Sequence, residues 1–318
     1  IMKIGTIASH SALNIISGAK AEGFDTVLVS TPDRVEFYES FGLKSSIIQV
    51  ESYDEILDLD SDDIVWIPHG SFVAYIGAKK ILNSNLQMYG NQELLSYEED
   101  RNLKTKLLVG SGLKVPLEFN TLEEVDRPVI VKTFGAAGGE GYFIARDREE
   151  IIQNSPSDKK FSIQEYIVGT KVFVTYFNSL ARNRTEVFGA DIRYETDADA
   201  NLRFDDVPTF VVIGNLPLVL RESILFRYFK MGKDFVEGFR TLSGKSLPGP
   251  FCIETIIDRN QNIYSFEFSG RIVAGTNVWI PSSPYSYVQF KKPMWMGRRI
   301  ALEIKELIQK GTLNESML

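Results

Sequence analysis

The chain has 318 residues, of which 44% are hydrophobic and 24% are charged, and these ordinary values exclude collagen, coiled-coil and intrinsically disordered proteins. Its length predicts two domains or three small ones. The net charge of −7, from 35 basic and 42 acidic residues, argues against nucleic-acid binding, since a phosphate backbone requires a basic surface. A small anionic ligand in a local basic pocket stays compatible with this charge.

Cysteine content and hydropathy exclude further classes of protein. The single cysteine, Cys252, excludes an intrachain disulfide bond and a zinc site made of cysteines. No apolar run reaches the ~18 residues that span a bilayer, and no signal-peptide pattern opens the chain. We therefore expect a protein without membrane association, located in the cytoplasm.

Short apolar runs alternate with helical patterns in the first part of the chain. The pattern predicts helices at residues 12–21, 32–41 and 91–109, and strands at residues 2–8, 25–30, 46–50 and 64–68. Alternation of this kind favours parallel pairing in an open α/β sheet. Ligands of such sheets bind beyond the carboxyl ends of the strands.

The pattern becomes rich in β-strands after Pro128. Helices return at residues 222–242 and 296–308, and the predicted strands cover residues 129–132, 142–145, 161–167, 171–178, 186–194, 210–213 and 216–220. The fold class is thus α/β followed by α+β. We expect an N-terminal domain at residues 1–94, a small subdomain at 95–168 and a large subdomain at 169–318.

A glycine-rich segment joins two of these strands. Gly135, Gly138, Gly139 and Gly141 fall within seven residues, just after Lys132 on the preceding strand. A loop without Cβ atoms folds its N–H groups around phosphate oxygens, and the lysine brings a cation to the same place. The alternative is a flexible hairpin turn, because no helix follows as it does in a dinucleotide fold.

Two glutamates are predicted to face each other across a β-hairpin. A turn centred between Asn260 and Gln261 places Glu254 opposite Glu267, on the face turned away from the apolar side chains. Opposed carboxylates repel unless a cation lies between them, and Mg²⁺ prefers carboxylate oxygens together with substrate phosphates. Asn277 follows closely and offers a neutral oxygen. The alternatives are a shifted register or two solvated acids.

The only two histidines occupy equivalent places. His10 and His69 each follow a predicted strand of the first domain directly, and each is followed by a serine, Ser11 and Ser71. Strand ends of α/β sheets bind ligands, and serine hydroxyls suit a phosphate. Either histidine alone is equally compatible with capping or packing.

Weaker signals lie at three other strand positions. Glu165 and Val168 end a strand at a domain boundary, where main-chain groups suit an adenine edge and the carboxylate suits a ribose hydroxyl. Asn215 is a polar residue in an apolar run, and Glu195 ends another strand. Each is also compatible with a structural role.

Taken together, these segments resemble the ATP-grasp ligases, and within them the formate-dependent 5-formaminoimidazole-4-carboxamide ribonucleotide (FAICAR) synthetase family. The resemblance covers nearly the whole chain. It is carried by the sequences at residues 9–11, 68–72, 90–91, 129–143, 165–169, 214–215, 249–252 and 266–277. It implies an ATP-grasp fold with an N-terminal Rossmann-like parallel-sheet domain.

The resemblance also implies an activity. ATP would phosphorylate formate to formyl phosphate, which the 5-amino group of AICAR attacks to give FAICAR in the biosynthesis of IMP. The implied cofactors are ATP and either Mg²⁺ or Mn²⁺. Assembly into a homo-oligomer is compatible with the resemblance. The implied sites are His10, Ser71 and Asn215 for AICAR; Lys132, the four glycines, Glu165, Val168 and Glu195 for ATP; Glu254 and Glu267 for the metal; and Arg271 and Asn277 for catalysis.

The chain departs from the family pattern at three positions. Ala137 and Glu140 stand where the family loop has arginines, and Val273 stands where it has an aspartate. Removing one charged hydrogen bond typically costs ~1.5–3 kcal/mol. Two alternatives therefore stay open: a paralogue that binds ATP and AICAR with weak or no ligase activity, and a ligase for another carboxylate and amine.

Overall fold

A computed structural model describes residues 2–59, 62–133, 142–155, 160–195, 212–274 and 283–318, without the side chains of Thr133 and Glu195. In these residues the strands form an N-terminal, a small and a large sheet. This arrangement agrees with the expected class, α/β followed by α+β. No helix of the described part has the length and apolar character needed to cross a membrane.

The N-terminal sheet is parallel, and its strands other than β3 are largely buried. Its strands are β1 (Lys3–Ile7), β2 (Thr26–Ser30), β3 (Ser46–Gln49) and β4 (Ile64–Trp66), in the order β3-β2-β1-β4. All five residues of β2 are buried, as is typical of a parallel strand covered by helices. The helices of this part are α1 (Ala12–Ala21), α2 (Val35–Glu39), α3 (Ala78–Leu82), α4 (Gln92–Glu99) and α5 (Arg101–Gly110).

The small sheet is antiparallel and carries the two strands that flank the glycine-rich segment. It consists of β5 (Glu118–Phe119), β6 (Val129–Thr133), β7 (Tyr142–Ala145) and β8 (Phe161–Glu165), in the order β5-β8-β6-β7. Helix α6 (Arg148–Asn154) covers it through Ile151, which packs with Val129 and Val131. The glycines themselves lie outside the described residues.

The large sheet packs one face on a long helix. Its strands are β9 (Gly169–Ser179), β10 (Arg184–Glu195), β11 (Val212–Pro217), β12 (Gly249–Asp258) and β13 (Ile263–Ser269), in the antiparallel order β11-β10-β9-β12-β13. Helix α7 (Glu222–Ser243) buries Phe235 against Phe251 and Phe268 on this face. The opposite face, here called the cleft face, is therefore left for the polar side chains.

The C-terminal part of the chain returns to the N-terminal sheet. Helix α8 (Pro284–Phe290) is followed by α9 (Met296–Lys310), which packs against α1. Gly18 and Gly297 allow this approach, because a Cβ atom on Gly18 would lie 2.1 Å from the backbone nitrogen of Arg298. Segments of 3-10 or π helix lie at Pro32–Arg34, Tyr53–Asp58, Phe72–Ile76, Leu122–Glu124 and Leu313–Ser316.

Two sequence predictions of secondary structure are wrong in detail. The helix predicted at residues 91–109 is two helices, α4 and α5, because the carboxylate of Asp100 accepts hydrogen bonds from the N–H groups of Asn102 and Leu103 and begins a new helix. The two strands predicted at residues 210–220 are one strand, β11, in the described part. Asn215 thus lies inside a strand, where its side chain points to one face.

The division into domains stays a prediction. The strands of the three sheets lie within residues 3–66, 118–165 and 169–269, each inside one of the expected segments. Helix α9, however, contributes Ile300 and Ile304 to a core that also contains Ile4 and Ile15. This part of the predicted large subdomain therefore shares its core with the first domain.

Replacing Gly18 by alanine tests the helix contact. We expect a loss of about 3 kcal/mol in the free energy of unfolding, because a methyl group there overlaps the backbone of α9, which does not move aside easily. Urea unfolding measures the change. The matched control is Gly110→Ala at the end of α5, where the new methyl group meets only the flexible Leu242 side chain at 3.2 Å. Equal stabilities of the two variants would contradict this account.

Candidate active site

The cleft face of the large sheet gathers polar side chains from neighbouring strands. Strand alternation and register place Asn215 of β11, Asp191 and Arg193 of β10, Glu254 of β12 and Glu267 of β13 on this face. Their neighbours in sequence, such as Ala190 and Ile253, point into the core beneath α7. The alternation of apolar and polar residues thus builds a polar floor across the sheet.

Glu254 and Glu267 are directly opposed, as the sequence predicts. The register pairs Cys252 with Ser269 and Glu254 with Glu267, and then shifts by one residue at a β-bulge, so that Thr255 pairs with Ser265. The turn is centred on Asn260, half a residue from the predicted centre. The bulge compensates for this offset, and only the β13 positions between the bulge and the turn exchange their predicted faces, so that Phe266 packs with Phe173 and Cys252.

Each of the two glutamates is held by a basic side chain. Both Nη atoms of Arg193 donate to Glu254, at 3.1 and 2.9 Å, and Nζ of Lys104 lies 2.5 Å from Oε1 of Glu267. Burial raises the pKa of Glu254, although Arg193 opposes that shift. For the half-buried Glu267, desolvation is outweighed by Lys104, Lys132 and Arg193, which hold its pKa below the ordinary value. The opposed carboxylates are thus stabilised by cations from two different elements.

Lys132 of the small sheet lies within the electrostatic field of Glu267. Its Nζ donates to Oε1 of Gln164 at 2.8 Å and lies 5.8 Å from the ring centre of Tyr142. Burial lowers the pKa of Lys132, while the field of Glu267 raises it. A lysine on the strand that leads into the glycine-rich segment is therefore close enough to Glu267 to interact with it electrostatically.

The two histidines lie side by side at the edge of the N-terminal sheet. Their rings stack with centroids 5.3 Å apart and planes 6° apart. The fully buried His69 donates from Nε2 to the carbonyl of Ile7 at 3.0 Å, and its Nδ1 accepts from the N–H of Ser71 at 3.2 Å. Since one ring nitrogen donates and the other accepts, His69 is neutral. Burial lowers its pKa to about 3.

His10 is the exposed member of this edge, whereas Ser71 is buried. Nδ1 of His10 lies 2.6 Å from the hydroxyl of Ser11, and the hydroxyl of Ser71 donates to that of Ser9 at 2.8 Å. Desolvation by the surrounding cleft lowers the pKa of His10, and the positive charges of Arg271 and Arg193 lower it further. His10 has a positive φ of 50°, a conformation that turns its ring toward His69 at the strand end.

Arg271 lies where the large sheet meets the N-terminal sheet. Its Nη2 donates to Oε1 of Glu98 at 2.5 Å, while the N–H of Gly270 donates to the other oxygen of Glu98 at 3.0 Å. The next residue, Ile272, pairs with His69 in a short β-bridge. The histidine edge of the N-terminal sheet and the cleft face of the large sheet therefore adjoin.

The remaining predicted site residues are not brought to this point by the described structure. Glu165 accepts hydrogen bonds from Arg127 and from the N–H of Leu117, and Val168 is exposed in the segment between β8 and β9. Glu195 ends β10, with its side chain undescribed. Gly135, Gly138, Gly139, Gly141 and Asn277 lie outside the described residues. Their assigned roles stay predictions.

Several cleft residues were missed from the sequence. Lys104 lies on the polar side of a helical pattern, Glu98 lies near the end of another helix, and Arg193 and Asp191 belong to a strand whose apolar residues dominate its pattern. Arg193 and Asp191 alternate with Ile192 and Ala190, and this polar alternation is the signal that identifies a cleft-facing strand.

Because His69 is buried and neutral, we expect the folded protein to lose stability as the pH falls. The unfolded chain binds a proton at this histidine below a pH of about 6.5, whereas the folded chain does so only near a pKa of about 3. The free energy of unfolding should therefore fall, by up to about 1.4 kcal/mol per pH unit, as the pH falls through this window. Urea unfolding between pH 7.5 and 5 measures it. We expect His69→Gln to be less stable at pH 7.5 but to show a smaller decline, and an identical decline would contradict the assignment.

Comparison with known proteins gives consistent matches over the chain. Residues 4–119 match a family model described as a protein of unknown function (DUF1246), and residues 145–317 match a domain of unknown function (DUF1297). The chain is 44% identical to the 5-formaminoimidazole-4-carboxamide-1-(beta)-D-ribofuranosyl 5'-monophosphate synthetase of Ignicoccus hospitalis, over 99% of this chain and 95% of that protein.

Solved structures agree with the sequence match. The IMP biosynthesis protein PurP from Thermococcus kodakaraensis superposes with a TM-score of 0.83 at 30% identity, over 98% of this chain and 99% of that one. The N5-carboxyaminoimidazole synthetase of Staphylococcus aureus, solved with ADP, gives a TM-score of 0.63 at 16% identity, over 86% and 72% of the two chains, and shares the fold. The chain has the ATP-grasp fold with an N-terminal parallel sheet, and it belongs to the FAICAR synthetase family.

Proposed function

We propose that this protein is an ATP- and formate-dependent ligase that converts AICAR to FAICAR in IMP biosynthesis. The observation that carries the proposal is the identity of 44%, over 99% of the chain, with a synthetase of that name. The geometry supports it, because the opposed Glu254 and Glu267 adjoin the histidine edge of the N-terminal sheet. Since ATP and IMP biosynthesis belong to the cell interior, we place the protein in the cytoplasm. Assembly into homo-oligomers stays a prediction.

The substrates are assigned to different sides of the cleft. AICAR lies against His10, Ser71 and Asn215, whose imidazole, hydroxyl and amide groups offer hydrogen bonds to a ribonucleotide. ATP lies between the two antiparallel sheets, with Lys132 and Lys104 near its phosphates. The glycine-rich segment, Glu165, Val168 and Glu195 are the further ATP contacts of this proposal.

The donor set fits a divalent cation. Glu254 and Glu267 present carboxylate oxygens from opposed positions of neighbouring strands, which is the ligand type that Mg²⁺ and Mn²⁺ prefer. Burial, together with Coulombic repulsion from Glu267, raises the pKa of Glu254, so a cation between the two acids would be stabilised. When bound, the metal would neutralise phosphate charge. Without a metal between them, Glu254 is paired with Arg193 and Glu267 with Lys104.

The reaction needs positioning and charge neutralisation rather than a protein nucleophile. A formate oxygen attacks the γ-phosphorus of ATP and ADP leaves, which gives formyl phosphate. The 5-amino nitrogen of AICAR then attacks the formyl carbon, and phosphate leaves with the electrons of the C–O bond. Lys132 and Lys104 neutralise phosphate charge, and the histidine edge holds the amine near the acyl group.

A second candidate follows from the departures in the sequence. Val273 is buried with Cys252, Phe173 and Phe266, so the place of the family aspartate is apolar. The places of the two family arginines are taken by Ala137 and Glu140, outside the described residues. These changes favour a paralogue that binds ATP and AICAR with weak turnover, or a ligase for a different carboxylate.

A four-component assay separates the candidates. We expect phosphate release and FAICAR formation only when ATP, Mg²⁺, formate and AICAR are all present, because each takes part in one of the two steps. Colorimetric phosphate determination and chromatography of the product measure it. Turnover with another small carboxylate, but not with formate, supports the changed substrate. Tight binding of ATP and AICAR by calorimetry without turnover supports the paralogue, and phosphate release independent of any carboxylate contradicts a ligase.

Glu267→Gln tests the metal site. We expect the affinity for Mn²⁺, measured by electron paramagnetic resonance with a non-hydrolysable ATP analogue bound, to fall by a factor of ~10–100, because a charged ligand becomes a neutral one. Glu237→Gln is the matched control, since its carboxylate is exposed on α7 and pairs with Arg240. An unchanged affinity of Glu267→Gln would place the metal elsewhere.

A further inference from the structure

Asp191 differs from the other acids of the cleft. Glu254, Glu267 and Glu98 are each paired with a basic side chain, namely Arg193, Lys104 and Arg271. Asp191 is 3% exposed and, within the described part of the chain, forms no ion pair. Its hydrogen-bond partner is the neutral amide of Asn215, whose Nδ2 donates to Oδ2 at 2.9 Å. Burying a carboxylate that has no ion-pair partner costs folding free energy, and such groups are typical of functional sites.

The contact between Asp191 and Asn215 fixes the orientation of the amide. Because Nδ2 donates to the carboxylate, the oxygen Oδ1 is the atom that Asn215 offers to a substrate as an acceptor. Asn215 is one of the residues assigned to AICAR in the proposed function. Asp191 is thus in direct contact with a side chain of the amine-binding side of the cleft.

The second step of the reaction requires a proton acceptor. When the 5-amino nitrogen bonds to the formyl carbon, the nitrogen becomes positively charged and must lose a proton before the product is stable. Lys104 and Arg193 are cations held in ion pairs, and the carboxylates of Glu267 and Glu254 are their partners. His10, whose pKa is lowered, is a weak base.

We infer that Asp191 accepts the proton of the 5-amino group as the C–N bond forms, a role that rests on the proposed function. The C–O bond to phosphate breaks, phosphate leaves with that electron pair, and the proton passes from nitrogen to the carboxylate of Asp191 and then to solvent after product release. Burial raises the pKa of Asp191 to about 6, against the opposing effects of Arg193 and Asn215. The carboxylate is therefore ionised at neutral pH and is a stronger base than an exposed aspartate.

Asp191→Asn separates this role from a structural one. Asparagine keeps the size of the side chain, and its oxygen still accepts from Nδ2 of Asn215, so AICAR should bind with an affinity within about twofold of wild type. We expect kcat for FAICAR formation to fall by a factor of ~100 or more, since general-base catalysis contributes ~100–10,000-fold. The first step needs no base, so formate-dependent exchange of oxygen between the bridging and non-bridging positions of ¹⁸O-labelled ATP should proceed at the wild-type rate.

The possible results distinguish a failure of the role of Asp191 from a failure of the proposed function. Wild-type kcat in Asp191→Asn, or loss of the oxygen exchange together with turnover, would overturn the role of Asp191, the latter by showing a general disruption of the site. Absence of formate-dependent exchange in the wild-type protein would overturn the proposed function and this role with it. Asp234→Asn, on α7 at its pair with Lys230, is the matched control and should keep wild-type kcat and exchange.

Discussion

Repulsion between two opposed carboxylates is the constraint on which the rest of the cleft depends. Glu254 and Glu267 face each other on adjacent strands, and like charges in such positions are destabilising unless they are compensated. The chain compensates them with Arg193 from the same sheet and Lys104 from a helix. Arg193 also lies 3.8 Å from the ring centre of Phe173, which holds the guanidinium in a partly desolvated position. The basic residues of the cleft are therefore part of its folding energetics as well as of its chemistry.

The same balance of charge explains how the sheets come to share one cleft. Arg271 from the large-sheet side pairs with Glu98 of α4, and the neighbouring Ile272 bridges to His69. These contacts place the carboxyl end of the parallel sheet against the polar face of the antiparallel one. An amine bound at the first and an activated acid formed at the second would therefore meet without a large movement of either.

The sequence could predict what short-range periodicity and pairing determine. The hairpin that opposes Glu254 and Glu267 has polar turn residues and a clear apolar face, so its register near the glutamates is correct despite the unpredicted bulge. The strand-end positions of His10 and His69 follow from the same pattern, and their ring stacking is a consequence of adjacent parallel strands. Lys104, Arg193 and Asp191 could not be assigned in this way. The alternation in β10 shows that Arg193 and Asp191 share a face, but their partners lie on other elements, which no local pattern identifies.

The close contact between Gly18 and Gly297 has a consequence for the order in which the molecule assembles. Ile4 and Ile15 share their core with Ile300 and Ile304, so the first strands and α1 leave part of their apolar surface in water until α9 has left the ribosome. Domains otherwise tend to fold as they emerge during synthesis. Here the N-terminal sheet completes its core only after α9, almost 300 residues further along the chain, has been made.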